Sequence, residues 1–223
     1  MHRPVPLPPP LGQIVAPRAE LDSFLTPSLA AVLAGARRRA LRDGDRHIDT
    51  AHLLHALVES DPDVGAAFDD DRRLARVLGY LAQRSIGYGL RWQRSVEVSS
   101  ARLLPAVREA EPAAGDDRIF GWSPCAVVAL EGAFRRAAER GAGHGAERGA
   151  GHGAGHGAER VRGLDLFAAL AADSESRAVD VLRRAGVDPG ALVARAEARI
   201  AGLIDAPLRG GADGSGELPS QQA

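Results

Sequence analysis

Residues 25–44 read LTPSLAAVLAGARRRALRDG, and residues 122–141 read WSPCAVVALEGAFRRAAERG. In each stretch a hydroxyl residue, Thr26 or Ser123, stands directly before a proline. A hydroxyl at the N-cap accepts an otherwise unpaired backbone N–H, and proline at the next position has no N–H to lose. Each pair therefore predicts a helix start, and together the stretches predict two copies of one helix.

The apolar residues of both stretches recur at the spacing of one helical face. The predicted inward residues are Leu29, Val32, Leu33, Ala36 and Ala40 in the first copy, and Ala126, Ala129, Leu130, Ala133 and Ala137 in the second. Because the second set has the smaller side chains, we expect its partner helix to pack more closely.

The next segment, HIDTAHLLHAL at 47–57, has a counterpart in VRGLDLFAAL at 161–170. Equivalent residues are 113 positions apart here but 97 apart in the first helix. The extra residues fall within GAGHGAERGAGHGAGHGAER at 141–160, which we interpret as a loop with a Gly/Ala/His-rich insertion at about 144–159. A flexible loop costs only about 0.6 kcal/mol more for each doubling of its length, so a spacer is tolerated without new contacts.

Two further helices are predicted to complete each copy. The sequence therefore predicts an all-α protein with about eight helices, arranged as a first repeat at 22–95, a linker with one candidate short helix at 96–120, and a second repeat at 121–204. The Pro-rich residues 1–21 are expected to form a disordered arm, and residues 205–223 a disordered tail.

Composition excludes several function classes. The formal charge is -1, so nothing global attracts nucleic acid or an anionic membrane. The sequence contains no Lys, which excludes a phosphate-binding loop with its lysine and Schiff-base chemistry. With a single Cys, no signal peptide and no long apolar stretch, the expected localisation is cytoplasmic.

The order of these motifs resembles the N-terminal double repeat of the Clp ATPases, above all the ClpC type. The specific parts are HIDTAHLL at 47–54 and AVDVLRRAGVDPGAL at 178–192, and the resemblance covers roughly residues 22–204. It implies a pseudo-two-fold tandem of two four-helix repeats that captures substrates and adaptor proteins for a protein-unfolding ring. Because nucleotide-binding modules are absent, the chain is similar to stand-alone members of the family, some of which bind antibiotic cyclic peptides.

The sequence departs from the family at one motif. In the ClpC type a Glu of a T-E-H motif in each copy helps to bind the guanidinium of phosphoarginine, whereas Ala51 and Leu164 occupy these positions here. Neither side chain makes the charge-assisted bonds of a carboxylate. The pockets are therefore expected to suit a hydrophobic or cyclic peptide, or alternatively to serve packing alone. The predicted peptide- or ligand-binding residues are Leu25, Thr26, Thr50, Ala51, Trp122, Ser123 and Leu164.

The leading functional interpretation is a non-catalytic binding module of the Clp protease and chaperone system. It would act as an adaptor, regulator or substrate receptor for a ClpC-type ATPase, with Clp ATPase or protease components, adaptors and substrate peptides as partners. The alternative is a protein that protects ClpC by sequestering cyclic peptides. No enzyme and no cofactor is predicted, because no nucleophile lies in an evident nucleophile–base constellation.

Other reactive residues favour packing or solvent contact over chemistry. His47, His52 and His55 lie on one helix and the segment before it, where histidines more often cap or pack than bind metal. The histidines of the 141–160 tract lack the Cys or fixed carboxylate that would complete a rigid site. No metal site is predicted, and Cys125 is expected to be a small buried side chain.

Overall fold

The chain folds into α-helices throughout the part that the structure describes. The computed structural model describes residues 23–85, 96–97, 121–147 and 160–205. The helices are α1 (Pro27–Asp43), α2 (Thr50–Ser60), α3 (Pro62–Gly65), α4 (Asp71–Ser85), α5 (Pro124–Glu147), α6 (Gly163–Ala172), α7 (Arg177–Arg184) and α8 (Pro189–Asp205). The predicted N-terminal arm, the candidate short helix between the repeats, the spacer beyond residue 147 and nearly all of the tail lie outside the described residues.

The predicted helix starts are present. Thr26 Oγ1 accepts a hydrogen bond from Leu29 N–H at 3.3 Å, and Ser123 Oγ accepts one from Ala126 N–H at 3.1 Å. Asp188 caps α8 in the same way, since its Oδ1 accepts from Gly190 N–H at 3.0 Å. In all three cases the proline that follows begins the helix, as its missing N–H and fixed φ dictate.

The predicted inward faces of α1 and α5 are in the core, with Leu33 partly buried and the other nine residues buried. The smaller face of α5 does admit a closer neighbour. A Cβ built on Gly132 would lie 3.1 Å from the Cβ of Ala169 in α6, whereas one on Gly35 would lie 3.5 Å from the Cβ of Ala56 in α2. At this one position the neighbouring helix is closer in the second copy, and closer packing along the whole face stays a prediction.

The two repeats are joined by a reciprocal crossing of the segments that precede their helices. Thr26 N–H donates to Val161 O at 3.0 Å and Val161 N–H donates to Phe24 O at 2.8 Å. At the equivalent positions with the repeats exchanged, Ser123 N–H donates to Ile48 O and Ile48 N–H donates to Gly121 O, both at 2.9 Å. Exchange of the repeats reproduces the same pairing, so the described tandem is pseudo-two-fold.

The centre of the molecule is formed by α2 and α6, the second helix of each repeat. Nearly every residue of both helices is buried, and they carry the bulkiest core side chains, including Phe167, whose ring centroid lies 5.7 Å from that of Phe68. The α6 sequence is a nearly continuous apolar run because neighbours cover the helix on all sides, whereas α2 buries Thr50, His52 and His55 among its apolar residues. Among the described helices, none is long and apolar enough to cross a membrane.

One helix end differs between the repeats. In α1 the chain leaves the helix at Gly44, which adopts φ 70° and caps it. The alignment of Gly141 with Gly44 predicts an end at Gly141, but α5 continues to Glu147. The physical reason is the number of residues between the helices. Because α2 begins at residue 50, the chain must turn tightly after α1, and Gly44 makes this left-handed turn, whereas α6 begins only at residue 163 and no early turn is needed after α5.

Candidate functional site

The crossing sorts most of the predicted site residues into two groups, each drawn from both repeats. Leu25 bridges to Val161, which places the start of α1 beside the segment that leads into α6. Trp122 bridges to Ile48, which places Ser123 at the start of α5 beside Thr50 and Ala51 at the start of α2. Each helix start therefore faces the second helix of the other repeat.

The predicted site residues differ in how far they are buried. Leu25, Ala51 and Leu164 belong to the hydrophobic core, and Thr50 and Ser123 are fully buried as well. Thr26 and Trp122 remain partly exposed. Thr26 and Trp122 are thus the members of the set that reach solvent, and the binding role of all seven residues stays a prediction.

Glu97, which the sequence did not single out, lies at the centre of the group around Thr50. Its carboxylate accepts hydrogen bonds from Thr50 N–H at 2.9 Å, Ser123 Oγ at 2.8 Å and Arg177 N–H at 2.6 Å, and from Thr50 Oγ1. Glu97 is only 5% exposed, although Val96 beside it is 48% exposed. A single acid within SVEVSS has no spacing pattern, so no local sequence signal marks it.

A buried ion network is centred on Asp49, the N-cap of α2. Asp49 caps α2 through Oδ1, which accepts from His52 N–H at 3.0 Å. Its Oδ2 lies 2.6 Å from Arg84 Nη2 and 2.5 Å from Arg177 Nη1. Burial opposes ionisation of Asp49, but the bond with His52 and the charges of both arginines outweigh it and hold the Asp49 pKa well below its usual range.

His52 completes this network. Its Nδ1 accepts from Asp49 N–H at 3.1 Å, and its Nε2 lies 3.2 Å from Asp45 Oδ2. Asp45, Asp49 and His52 offer atoms close enough to hold a metal ion. Both carboxylates are already paired with Arg84, however, and Arg177 also binds Asp49, so the arrangement fits an ion-pair network better than a cation site.

At the start of α6, the second repeat has the same side-chain to backbone hydrogen bond as α2 but with side chains of opposite charge. Asp165, which aligns with His52, accepts from Arg162 N–H at 2.8 Å and pairs with Arg140. Arg140 aligns with Asp43, whose Oδ2 lies 3.8 Å from His52 Nε2 in the first repeat. The Asp–His pair of the first copy is therefore an Arg–Asp pair in the second, which explains why the histidine is not repeated.

The presence of glycine at position 163 is explained by its close contact with Asp61. The carboxylate of Asp61, the N-cap of α3, lies directly over the start of α6. A Cβ on Gly163 would overlap Asp61 Oδ2 and lie 2.9 Å from its Cγ. Thr50, the equivalent residue of the first repeat, instead faces the carboxylate of Glu97 with its hydroxyl.

Burial also shifts the pKa values of two other side chains, Cys125 and His55, away from their usual ranges. Burial raises the pKa of Cys125 to about 12, and the charge of Glu97 adds to that effect. Burial and the nearby Arg39 lower the pKa of His55 to about 3, while its Nε2 lies 3.1 Å from Glu59 Oε1. The predicted small buried role of Cys125 agrees with its complete burial.

Comparison with known proteins gives structural overlaps but no family assignment. No family model matches the chain, and no curated protein matches it. The N-terminal domain of the caseinolytic protease associated chaperone ClpD from Arabidopsis thaliana overlaps with a TM-score of 0.48 at 16% identity, over 80% of this chain and 95% of that chain. A structure titled as preliminary structural investigations of a malarial protein secretion system overlaps with a TM-score of 0.48 at 14% identity, over 79% and 94% of the two chains.

Proposed function

We propose that this chain is a non-catalytic binding module of the Clp system, acting in the cytoplasm as an adaptor, regulator or substrate receptor for a ClpC-type ATPase. Two lines of support come from the residues. The motifs HIDTAHLL and AVDVLRRAGVDPGAL resemble the ClpC-type double repeat. The four-helix order of each copy, with its crossed leading segments, fits a tandem of that kind.

The observation that carries the proposal is the reciprocal crossing. It brings the start of each repeat to the second helix of the other, so that Thr26 and Trp122 are partly exposed beside two interrepeat junctions. Trp combines a large apolar ring with one N–H donor and is enriched among residues that dominate protein interfaces. Trp122 is therefore the side chain on which we place the partner contact.

The chemistry of the described residues supports binding over catalysis. The buried thiol of Cys125 has a raised pKa, and His52 and His55 are both engaged with neighbouring acids. A catalytic nucleophile needs a base within hydrogen-bond reach and a lowered pKa. Cys125 has the opposite arrangement, because it is buried and its pKa is raised.

A binding experiment with purified components tests the proposal. The full chain is immobilised, and the ClpC-type ATPase of the source organism is passed over it by surface plasmon resonance, followed by a permanently unfolded substrate protein. Truncating a dominant interface Trp costs about 2 kcal/mol or more, which corresponds to well over tenfold in affinity. We expect Trp122→Ala to weaken binding by at least that factor.

Leu203→Ala is the matched control, because Leu203 is also an exposed apolar side chain but belongs to α8 and to neither of the crossing segments. It should leave the affinity unchanged. Circular dichroism of both variants checks that the helices persist. Absence of binding by the wild-type chain to ATPase and substrate alike contradicts the proposed function, and stabilisation by a cyclic peptide alone would favour the sequestering role.

A further inference from the structure

His52 is 1% exposed and lies against three carboxylates of the short segment that joins α1 to α2. Its Nε2 lies 3.2 Å from Asp45 Oδ2 and 3.8 Å from Asp43 Oδ2. Its Nδ1 lies 2.7 Å from Asp49 Oδ1. Because these acids are close together in the chain and repel one another, a positive charge among them stabilises the segment.

The buried cations around this segment are fewer than its carboxylates. Arg84 and Arg177 are the two buried guanidiniums that pair with these acids. Arg42 lies 3.8 Å from Asp43, but its side chain is 64% exposed, so water screens its charge. Among the described residues, the buried part of the network therefore holds three carboxylates and two guanidiniums while the imidazole is neutral. A proton on His52 supplies the third positive charge.

Other titratable groups near the start of α2 do not supply that charge. Burial and Arg39 lower the pKa of His55 to about 3, which keeps His55 neutral. Glu97, which accepts from Thr50 N–H, is a further acid. The charged and titratable groups that face His52 or its partners are Arg42 and Asp43 from α1, Asp45 and Asp49 before α2, His55 from α2, Arg84 from α4, Glu97, and Arg177 from α7.

The ring has a partner in either protonation state without movement of its heavy atoms. When His52 is neutral, Nδ1 accepts from Asp49 N–H at 3.1 Å, and a proton on Nδ1 faces Asp49 Oδ1 at 2.7 Å. Nε2 is not aligned for a hydrogen bond with any described residue, although Asp45 is close. Attraction between opposite charges does not need that alignment, so the carboxylates favour the charged ring. Burial opposes protonation of His52, but its contacts with Asp45 and Asp49 outweigh burial and raise its pKa.

The second repeat has a permanent cation at the equivalent place. Asp165 aligns with His52, and Arg140, which aligns with Asp43, pairs with Asp165. A guanidinium is not deprotonated in proteins, whereas an imidazole gains or loses its charge near neutral pH. Only the first of these two equivalent cations is therefore titratable in that range.

The segment before α2 also forms half of the crossing between the repeats. Ile48 directly precedes Asp49, and its N–H donates to Gly121 O at 2.9 Å. Its carbonyl accepts from Ser123 N–H at 2.9 Å. Trp122 lies between these two partners in the chain, so the position of the segment sets the surroundings of Trp122.

We propose that His52 is a proton-binding site that, in mildly acidic solution, holds the segment from Asp43 to Asp49 and with it the repeat junction at Ile48, and that the proton is released in mildly alkaline solution. The equivalent junction at Val161 keeps its charged pair throughout. Because the pKa of His52 is raised on folding, the bound proton contributes fully to stability below the unfolded pKa of about 6.5. That contribution is lost as the pH rises through the folded pKa. The inference goes beyond the proposed function and does not depend on it.

His52→Gln tests the site, because Gln at the third helical position also accepts from the N-cap N–H but takes up no proton. Urea unfolding of the full chain is measured at about pH 6, 7.5 and 9. We expect the advantage of the wild type over His52→Gln to shrink as the pH rises, by about tenfold in the folding constant for each unit between the folded and unfolded pKa.

His55→Gln is the matched control, since His55 is a buried histidine of the same helix. Its lowered pKa gives the opposite sign, so the advantage of the wild type over His55→Gln should grow up to about pH 7 and then stay constant. A difference between wild type and His52→Gln that does not shrink from about pH 6 to 9 overturns the proposal.

Nuclear magnetic resonance of the wild type tests the site even if His52→Gln does not fold. The ring C–H signals, assigned by through-bond experiments, should give His52 a titration midpoint above about 6.5. Asp43→Asn removes one of the facing acids and should lower that midpoint. A midpoint at or below 6.5 in the wild type contradicts the proposal.

Tryptophan emission tests the link to the junction. The sequence has two Trp residues, so Trp92→Phe leaves Trp122 as the reporter beside Ile48. Its emission should change with the same midpoint as His52, and the change should be absent when His52→Gln is added. Emission that stays constant while His52 titrates would show that the proton does not act on the junction, and it overturns that part of the proposal.

Discussion

Replacement of Asp49 by Asn isolates the contribution of one buried charge to the stability of the tandem. Asp49 is 2% exposed and joins three elements: it caps α2, it pairs with Arg84 at the end of α4, and it pairs with Arg177 at the start of α7. Asn retains an oxygen that accepts from His52 N–H and is itself a good N-cap. Asp49→Asn therefore removes the charge while it keeps the cap.

The expected loss follows from the partners that remain. Breaking a buried pair by removal of one charge costs about 3–5 kcal/mol. Arg84 keeps Asp45, whose Oδ2 lies 2.8 Å from its Nη2, and the contact that is lost is the one between Asp49 and Arg177 at 2.5 Å. The lower end of the range, about 3 kcal/mol, therefore applies. In a domain of this size that corresponds to a fall of roughly 6–12 °C in melting temperature. Asp49→Ala also removes the cap and should cost about 1 kcal/mol more.

Urea unfolding followed by circular dichroism at pH 7 measures these differences. The matched control is Asp180→Asn, which breaks an exposed pair with Arg184 in α7 and should cost no more than about 1 kcal/mol. Because the folded pKa of Asp49 lies below its unfolded value, its contribution is complete above the unfolded pKa and is lost as the pH falls. The difference between wild type and Asp49→Asn should therefore narrow below about pH 4. Equal losses for Asp49→Asn and Asp180→Asn at pH 7 would refute the reasoning.

Three further predictions concern packing and reactivity. Gly163→Ala should destabilise the protein by about 1–3 kcal/mol because the new Cβ overlaps Asp61, and Asp61→Ser added to it should relieve part of the loss. Gly79→Ala, which has open space around it, should stabilise the protein by up to about 1 kcal/mol. Urea unfolding of the wild type and the three variants measures these differences. Phe167→Ala should cost about 3–5 kcal/mol, since Phe167 is the largest fully buried side chain among the described residues, and a loss below 1 kcal/mol would contradict its central place. Cys125 should react with a thiol reagent at pH 8 far more slowly in the folded chain than in urea, because burial raises its pKa to about 12; equal rates would show that the thiol is exposed.

Much of the helical framework follows from local sequence. The Thr26 and Ser123 starts, the two inward faces and the repeated order of helices were all predictable, because capping and helical periodicity act over a few residues. The end of α5 was not, because its position depends on how far the next helix lies along the chain. The insertion and the repeat boundaries remain predictions.

The candidate site was predictable only in part. The sequence indicated Thr50 and Ser123 from their places at helix starts, and alignment of the copies related the starts of the two repeats. It did not identify Glu97, because the four donors that hold this acid come from residues up to 80 positions away. Nor did the sequence show that the His52–Asp43 pair of the first repeat is replaced by an Asp165–Arg140 pair in the second. Each pair forms only when two helices come into contact.

The sequence by itself determined the helices, their starts and their twofold repetition, since hydrogen bonds within a turn and apolar spacing along one face are local properties. The tertiary structure decided which start faces which helix, that Leu25, Ala51 and Leu164 are packed inside, and that Glu97 reaches the donors of three helices. These outcomes depend on long-range pairing, in which a carboxylate or a leading segment finds its partner only after the helices have docked. The spacing of residues within one helix does not predict which distant residues will become partners.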